Sequence, residues 1–230
     1  MVDMHSHVLP LVDDGSATIE ESINMLEEEG LNGVTKVILT PHYKQNIYDV
    51  PFDDLKSAFN NFSAVAKESG VKVDLYLGQE IYCTNKIYDF LKEKKVSTIN
   101  GTNCLLIEFN YYDEQDIQDY VYNLKTMGYT PVIAHIERYI YLDWDSLFDL
   151  KQLGALLQVN ASSIIGEEGK TIKRRVLKAI KQGLVDFVGS DVHSDRALPL
   201  KNAYKVVQKT AGTLIADNVF KNNAIKYFNL

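Results

Sequence analysis

Short apolar runs and longer amphipathic stretches alternate along this chain from one end to the other. The runs cover residues 2–5, 36–40, 73–78, 104–109, 130–134, 156–160 and 186–189, and most are apolar almost without interruption. A strand covered on one face alternates apolar and polar residues, whereas one covered on both faces is apolar throughout. These runs therefore predict a parallel sheet buried on both sides. Between them the spacing turns helical. Thr18 and Glu21 have the spacing of a capping box, and Ile19, Ile23 and Leu26 form one stripe before Gly30, which predicts a helix over 18–29. Phe52, Leu55, Phe59, Phe62 and Val65 repeat in the same way after Pro51. Further helices are predicted over 85–95, 113–127, 144–153, 171–182 (stopped by Gly183), 200–210 and 214–221. Seven βα units make an α/β chain, either a doubly wound open sheet or a seven-stranded (β/α)7 TIM-like barrel.

The strand ends favour the barrel. All five histidines, His5, His7, His42, His135 and His193, stand at or just beyond a predicted strand end. Carboxylates join them: Glu80 follows Leu75-Tyr76-Leu77-Gly78, Glu108 ends Leu105-Leu106-Ile107, and Asp191 follows Phe187-Val188-Gly189-Ser190. Only a closed sheet gathers so many strand ends around one point. Residues i and i+2 of a strand point the same way, so His5 and His7 can bind one ion together. An isolated His-x-His would be as well explained as a surface pair, but carboxylates and imidazoles have no other reason to coincide at six strand ends. Imidazole and carboxylate donors without thiolate suit Mn²⁺, Fe²⁺ or Zn²⁺.

Composition narrows the function classes. At 230 residues with 46% hydrophobic content, the chain is expected to form one domain over 1–230 with no linker. Its net charge of −7 argues against nucleic acid as the main partner. The basic stretch from Lys170 to Lys181 carries Ile172, Val176 and Ile180 at helical spacing and is expected to be the solvated face of a helix. Cys83 and Cys104 form no CxxC motif. Neither fits the Cys-x5-Arg loop of thiol-based phosphatases, because Asp89 and Asn110 stand where the arginine would be. A predicted strand at residue 2 leaves no room for a signal peptide, and no apolar run approaches the ~20 residues of a spanning helix. A cytoplasmic protein without membrane insertion is expected.

Several motifs together resemble the polymerase-and-histidinol-phosphatase (PHP) superfamily. They are Asp3-Met4-His5-Ser6-His7-Val8-Leu9-Pro10 with Asp13-Asp14-Gly15, Thr40-Pro41-His42, Gly78-Gln79-Glu80, Glu108-Phe109, Ala134-His135-Ile136-Glu137-Arg138-Tyr139 and Gly189-Ser190-Asp191-Val192-His193. Within that superfamily the chain is similar to the bacterial manganese-dependent protein-tyrosine phosphatases encoded with capsule or exopolysaccharide genes, the CpsB/YwqE type. The resemblance implies a distorted seven-stranded PHP barrel with three divalent ions, named as Mn²⁺. It implies His5, His7, Glu80 and Asp191 on the first ion, Glu80 (bridging), Glu108 and His135 on the second, and Asp14, His42 and His193 on the third. Spacing does not choose between Asp14 and Asp13.

Arg138 and Arg196 match the phosphate-binding arginines, although Arg196 stands nearer to His193 than in many members. A salt bridge to Glu137 or Asp143 is the competing role for Arg138. Asp195 is placed to hold Arg196 or to protonate a leaving phenolate. Tyr139, with Tyr43, Tyr48, Tyr111, Tyr112 and Tyr141, is a candidate to flank a phosphotyrosine ring, or simply to fill loop positions. The implied partner is a tyrosine-phosphorylated protein, the tail of a cognate bacterial tyrosine kinase. The alternatives are a small-molecule phosphatase of the histidinol-phosphate type, a PHP exonuclease, and a metal-stabilised scaffold. The acidic balance disfavours the exonuclease, Glu108 disfavours the histidinol-phosphate type, and an open mouth disfavours the scaffold.

Overall fold

The computed structural model describes residues 1–194, 196 and 198–230, so the role considered for Asp195 lies outside the described residues. Among the described residues every pairing between two strands is parallel. The strands are β1 (Val2–Ser6), β2 (Lys36–Leu39), β3 (His42–Tyr43), β4 (Asp74–Leu77), β5 (Glu80–Tyr82), β6 (Cys104–Glu108), β7 (Thr130–Ile133), β8 (Leu156–Asn160) and β9 (Phe187–Gly189). The helices α1 (Ile19–Leu31), α2 (Phe52–Glu68), α3 (Ile87–Lys92), α4 (Ile117–Thr126), α5 (Leu147–Gln152), α6 (Ala161–Ile165), α7 (Lys170–Lys181), α8 (Leu200–Ala211), α9 (Thr213–Asp217) and α10 (Asn223–Phe228) connect and follow them. The result is an α/β fold around a curled parallel sheet. Among the described residues no helix is long and apolar enough to cross a membrane.

The ladder is not the single seven-stranded one expected from sequence. Among the described residues it has a three-stranded part in the order β1-β2-β4 and a six-stranded part in the order β3-β5-β6-β7-β8-β9. Two predicted strands end early and resume in the other sheet. Thr40-Pro41 separates β2 from β3, and Gly78-Gln79 separates β4 from β5. Pro41 has no N–H to donate, so the ladder cannot run through it unbroken. Single backbone bonds span the breaks, from Thr40 N–H to Ser6 O (2.8 Å), Gly78 N–H to Leu39 O (2.8 Å) and Glu80 N–H to Pro41 O (3.0 Å). The sheet curls until its first strand meets the segment after the last. Asp191 N–H donates to His5 O (2.8 Å) and His7 N–H to Val192 O (3.0 Å).

The interior of the curl is divided along its axis. Val2, Met4, Ile38, Cys104, Leu106, Val132, Leu156 and Phe187 form an apolar layer at one end, closed by Phe228 of α10. The Phe228 and Phe187 rings are 4.9 Å apart, and Asn100 Nδ2 donates to Phe228 O (2.9 Å). Beyond that layer, at the C-terminal ends of the strands, the inward residues turn polar. A larger apolar cluster lies between the sheet and the helices. Helix α1 starts as its sequence predicts, with Thr18 Oγ1 accepting from Glu21 N–H (3.1 Å), although Glu21 turns its own carboxylate to Ala17 N–H (2.6 Å).

The C-terminal helix expected over 214–221 is instead α9, a π-turn over Asn218–Asn222, and α10. Burial of Phe220 and Phe228 carries it on to the base of the curl. Truncating such a ring removes apolar contact and leaves a cavity. Phe228→Ala is therefore expected to lower the unfolding free energy by about 3–5 kcal/mol in urea titrations. A loss below about 1 kcal/mol would show that α10 does not close the inner core.

Candidate metal centre

The polar half of the interior is built by residues whose side chains would not all face inward from regular strands. A register irregularity in the β1–β2 ladder lies between Asp3 and Ser6. It lets Met4 join the inner apolar layer while His5, the next residue, also faces inward. His135 and Asp191 adopt positive φ, +28° and +53°. That conformation is uncommon for residues with a Cβ, and here it turns both side chains into the curl. Gly15 lets the Asp13-Asp14 loop lie against the end of β1, because a Cβ there would stand 2.0 Å from His7 O.

Glu80 occupies the middle. Its Oε2 lies 3.2 Å from His5 Nε2, 3.3 Å from His7 Nε2 and 3.0 Å from His42 Nδ1, and its Oε1 lies 2.8 Å from His135 Nε2. Asp191 Oδ1 stands 3.6 Å from His5 Nε2 and 3.4 Å from His7 Nε2. Glu108 closes the other side, with Oε1 3.7 Å from His135 Nε2 and Oε2 4.0 Å from His42 Nδ1. Asp14 Oδ1 is 3.7 Å from both His42 Nε2 and His193 Nε2. All nine residues expected at the site thus share one cluster, which the sequence had distributed over six strand ends. Among the described residues three overlapping groups have donors within 4.8 Å of one another: His7, Asp14, His42 and His193; His5, His7 and Glu80; His42, Glu80 and Glu108.

The neighbouring carboxylate, Asp13, faces the other way. Its buried side chain accepts from His7 Nδ1 (2.8 Å), His42 N–H (2.9 Å) and Gly15 N–H (3.0 Å). With Nδ1 of His7 spent on Asp13 and Nδ1 of His5 facing Gln158 Oε1 (3.3 Å), both rings turn Nε2 inward. The two Nε2 atoms are 3.2 Å apart. Two bare nitrogens beside carboxylate oxygens repel unless a metal ion or, failing that, a proton lies among them, and among the described residues Glu80 Oε2 has no hydrogen-bond partner. The donor set therefore fits divalent ions.

Charge follows this crowding. Burial opposes ionisation of Glu80, but the His5 and His42 imidazoles outweigh it and hold the carboxyl well below the usual range. Asp191 is held down against its burial by His7, His5 and Arg138. Glu108 goes the other way: burial, and then the charge of Glu80, push it up to about 8. Burial and the charge of His7 lower His193 to about 4.

Arg138 pairs with neither Glu137 nor Asp143. Its Nη1 is 2.7 Å from Asp191 Oδ2, and its Nε is 3.9 Å from Glu168. Arg196 reaches the same aspartate, with Nη1 3.1 Å from Asp191 O and 3.4 Å from Oδ2. The two arginines line a cavity of about 360 Å³ with Ser162, Glu167, Glu168 and Ser190.

Tyr139 corrects the sequence reading. It is 2% exposed, its O–H donates to Ala134 O (2.9 Å) and accepts from Phe109 N–H (3.1 Å), and its ring packs behind His135 and Tyr111. No face of it is open to a substrate. Tyr43 is likewise packed in the core against Phe90. Tyr48 stacks on His42, Tyr111 donates to Glu108 Oε1 (2.5 Å), and Tyr112 is exposed beside Tyr111. Gln158 and Asn160, polar residues of β8 outside the set expected from sequence, reach His5, His135 and Asp191 with their side chains. Two amides alternating within the apolar run Leu156, Leu157, Val159 were the available signal. Both cysteines are buried, and burial pushes both thiols up.

A curled parallel sheet that turns five imidazoles and four carboxylates into one open mouth has the make-up of a metal-binding protein. The chain belongs to the family described as capsular polysaccharide synthesis, CpsB/CapC, whose model matches residues 1–229. A CapC protein of Staphylococcus aureus is 38% identical over 213 residues, covering 89% of this chain and 82% of the relative. The tyrosine-protein phosphatase CpsB of Streptococcus agalactiae is 34% identical over 237 residues, covering 97% and 96%. Among solved structures, one from work on the metal-dependent tyrosine phosphatases YwqE of Bacillus subtilis and CpsB of Streptococcus pneumoniae superposes with a TM-score of 0.91 at 28% identity, covering 98% of this chain and 93% of that one.

The two adjacent aspartates should separate cleanly. Asp13 is buried with three donors, whereas Asp14 has a side chain 49% exposed. In metal-free protein, Asp13→Ala is expected to cost about 2–3 kcal/mol of unfolding free energy and Asp14→Ala less than about 0.5 kcal/mol. Equal costs in urea titrations would show that the two do not divide these roles.

Proposed function

We propose that this chain is a metal-dependent protein-tyrosine phosphatase, which hydrolyses phosphotyrosine on the tail of a cognate bacterial tyrosine kinase in capsule or exopolysaccharide synthesis, in the cytoplasm. With β2–β3 and β4–β5 each counted as one interrupted strand, the curled sheet is read as a distorted seven-stranded barrel carrying three divalent ions, Mn²⁺ above Fe²⁺ or Zn²⁺. His5, His7, Glu80 and Asp191 would hold the first, Glu80, Glu108 and His135 the second, and Asp14, His42 and His193 the third. The observation that carries the reading is the convergence of His5 Nε2, His7 Nε2, Glu80 Oε2 and Asp191 Oδ1, with two arginines on the outer oxygen of Asp191. Family membership directs that centre to phosphotyrosine.

When bound, divalent ions supply positive charge to the phosphoryl oxygens and acidify a water for attack. The chain supplies the rest. Arg138 has its side chain 24% exposed at the cavity, and its planar guanidinium can grip two phosphoryl oxygens, which an ammonium cannot match. Arg196 lines the same cavity and would take a third contact. Asp191 holds both guanidinium groups at the edge of the cluster while its other oxygen faces the imidazoles. Tyr48 and Tyr112, at the mouth, offer ring faces to the substrate's phenyl group.

With Mn²⁺ added, the protein should hydrolyse a phosphotyrosyl peptide in preference to a phosphoseryl peptide, histidinol phosphate or single-stranded DNA, and EDTA should abolish this. Preference for any of the other three substrates would sink the reading. Arg138→Lys should retain the wild-type metal content yet lower kcat/KM on the phosphotyrosyl peptide by ~10²-fold, since an oriented donor pair contributes roughly 3 kcal/mol to such a transition state. If elemental analysis instead shows metal lost from Arg138→Lys with kcat per loaded site unchanged, Arg138 serves Asp191 and not the phosphate.

A further inference from the structure

Strand β8 contributes no imidazole or carboxylate to the cluster, yet its two inward amides touch three of the residues that do. Gln158 Oε1 accepts from His135 N–H (2.6 Å) and faces His5 Nδ1 (3.3 Å). Gln158 Nε2 donates to Asn160 Oδ1 (2.8 Å), and Asn160 Nδ2 donates to Asp191 Oδ2 (2.9 Å). Gln158, Asn160 and His5 are fully buried, with His135 and Asp191 nearly so, so loss of one partner leaves a buried polar group unpaired.

From these contacts we infer that Gln158 and Asn160 form a directional amide relay that sets which atoms of His5 and Asp191 face the metals. The direction follows from one group that cannot be reversed, the backbone N–H of His135. Because that group only donates, the Gln158 atom facing it must be the oxygen. The same oxygen can be satisfied by His5 only if Nδ1 carries the proton, which in the neutral ring leaves Nε2 as the bare, inward nitrogen. The other end of Gln158 must then donate, so Asn160 presents its oxygen to Gln158 and its nitrogen to Asp191. Oδ2 of Asp191 is thereby engaged, and Oδ1 is left facing the imidazoles. Turning either amide over would oppose donor to donor or acceptor to acceptor, a costly arrangement in a buried site.

The relay is packed as well as bonded. A Cβ on Gly189 would lie 2.7 Å from His5 Cβ and 3.2 Å from Gln158 Nε2, so only glycine fits beside them. Residues 158 and 160 share one face of β8 by strand alternation, which is what allows two amides to run in series. Gln158 and Asn160 are positioning residues, since they reach the metals only through His5, His135 and Asp191.

The inference rests on the metal-site reading above, and Zn²⁺ binding to metal-stripped protein, measured by competition with a chelator, tests it without reference to turnover. Gln158→Leu and Asn160→Asp are each expected to weaken Zn²⁺ binding by about 10–100-fold, the usual effect of removing a group that orients a ligand. Because both act along one relay, the double variant should bind no more than about threefold more weakly than the weaker single variant. Binding by the single variants within twofold of wild type would overturn the relay, as would a double loss equal to the product of the single losses. Should Gln158→Leu not fold, the isosteric Gln158→Glu, which replaces the donor to Asn160 by a carboxylate oxygen, takes its place in the same cycle with the same criteria. Failure of the wild-type protein to bind Zn²⁺ at all would overturn the metal-site reading together with the relay.

Discussion

Glu80 has one oxygen within 3.3 Å of three imidazole nitrogens and the other 2.8 Å from a fourth, and much of the structure serves to hold that arrangement. Such a group of lone pairs and negative charge cannot be stabilised by burial alone. An outward partner fixes the orientation of a ring, and the centre needs cations. Asp13 serves His7, Gln158 serves His5, and the carbonyl of Asp191 serves His193 (3.1 Å). The electrostatic cost of the site is met by neighbours drawn from β8, the loop after β1 and the segment after β9.

The backbone shows where this arrangement departs from regular structure. Between β2 and β3, and again between β4 and β5, the ladder breaks so that His42 and Glu80 start new, short strands aimed at the centre. His135 and Asp191 take positive φ two residues beyond the ends of their strands. Both conformations cost energy in isolation, and they are tolerated because surrounding hydrogen bonds over-determine them. His135 N–H is held by Gln158, and Asp191 N–H by His5 O. The apolar layer below, closed by Phe228, gives these elements a rigid base.

The arginines connect the cluster to the solvent-facing cavity. Arg138 and Arg196 converge on the outer oxygen of Asp191, so one carboxylate belongs to both regions. A perturbation of Asp191 would be felt by the ring nitrogens and the guanidinium groups alike. In the same way, Tyr111 links Glu108 to Arg138, donating to the first and lying 3.5 Å from Nη1 of the second.

Much of this was legible in the chain itself. Apolar runs ending in His42, Glu80, Glu108, His135 or Asp191 determine a buried parallel sheet and the identity of the donors, because strand burial and ligand chemistry are both written in residue type. Thr18 and Glu21 likewise announce the start of α1. What residue type could not convey is orientation. Whether Asp13 or Asp14 faces the cluster depends on a loop packed on Gly15, and whether Tyr139 reaches a substrate depends on what lies behind His135. The choice between Glu137, Asp143 and Asp191 as partner of Arg138 depends on where distant strands end. The role of Gln158 and Asn160 exists only once β1, β7, β8 and β9 are side by side. Local sequence thus determined which chemistry is present, and tertiary structure decided which atom of each residue takes part, because a hydrogen bond's direction is set by a partner that lies far along the chain.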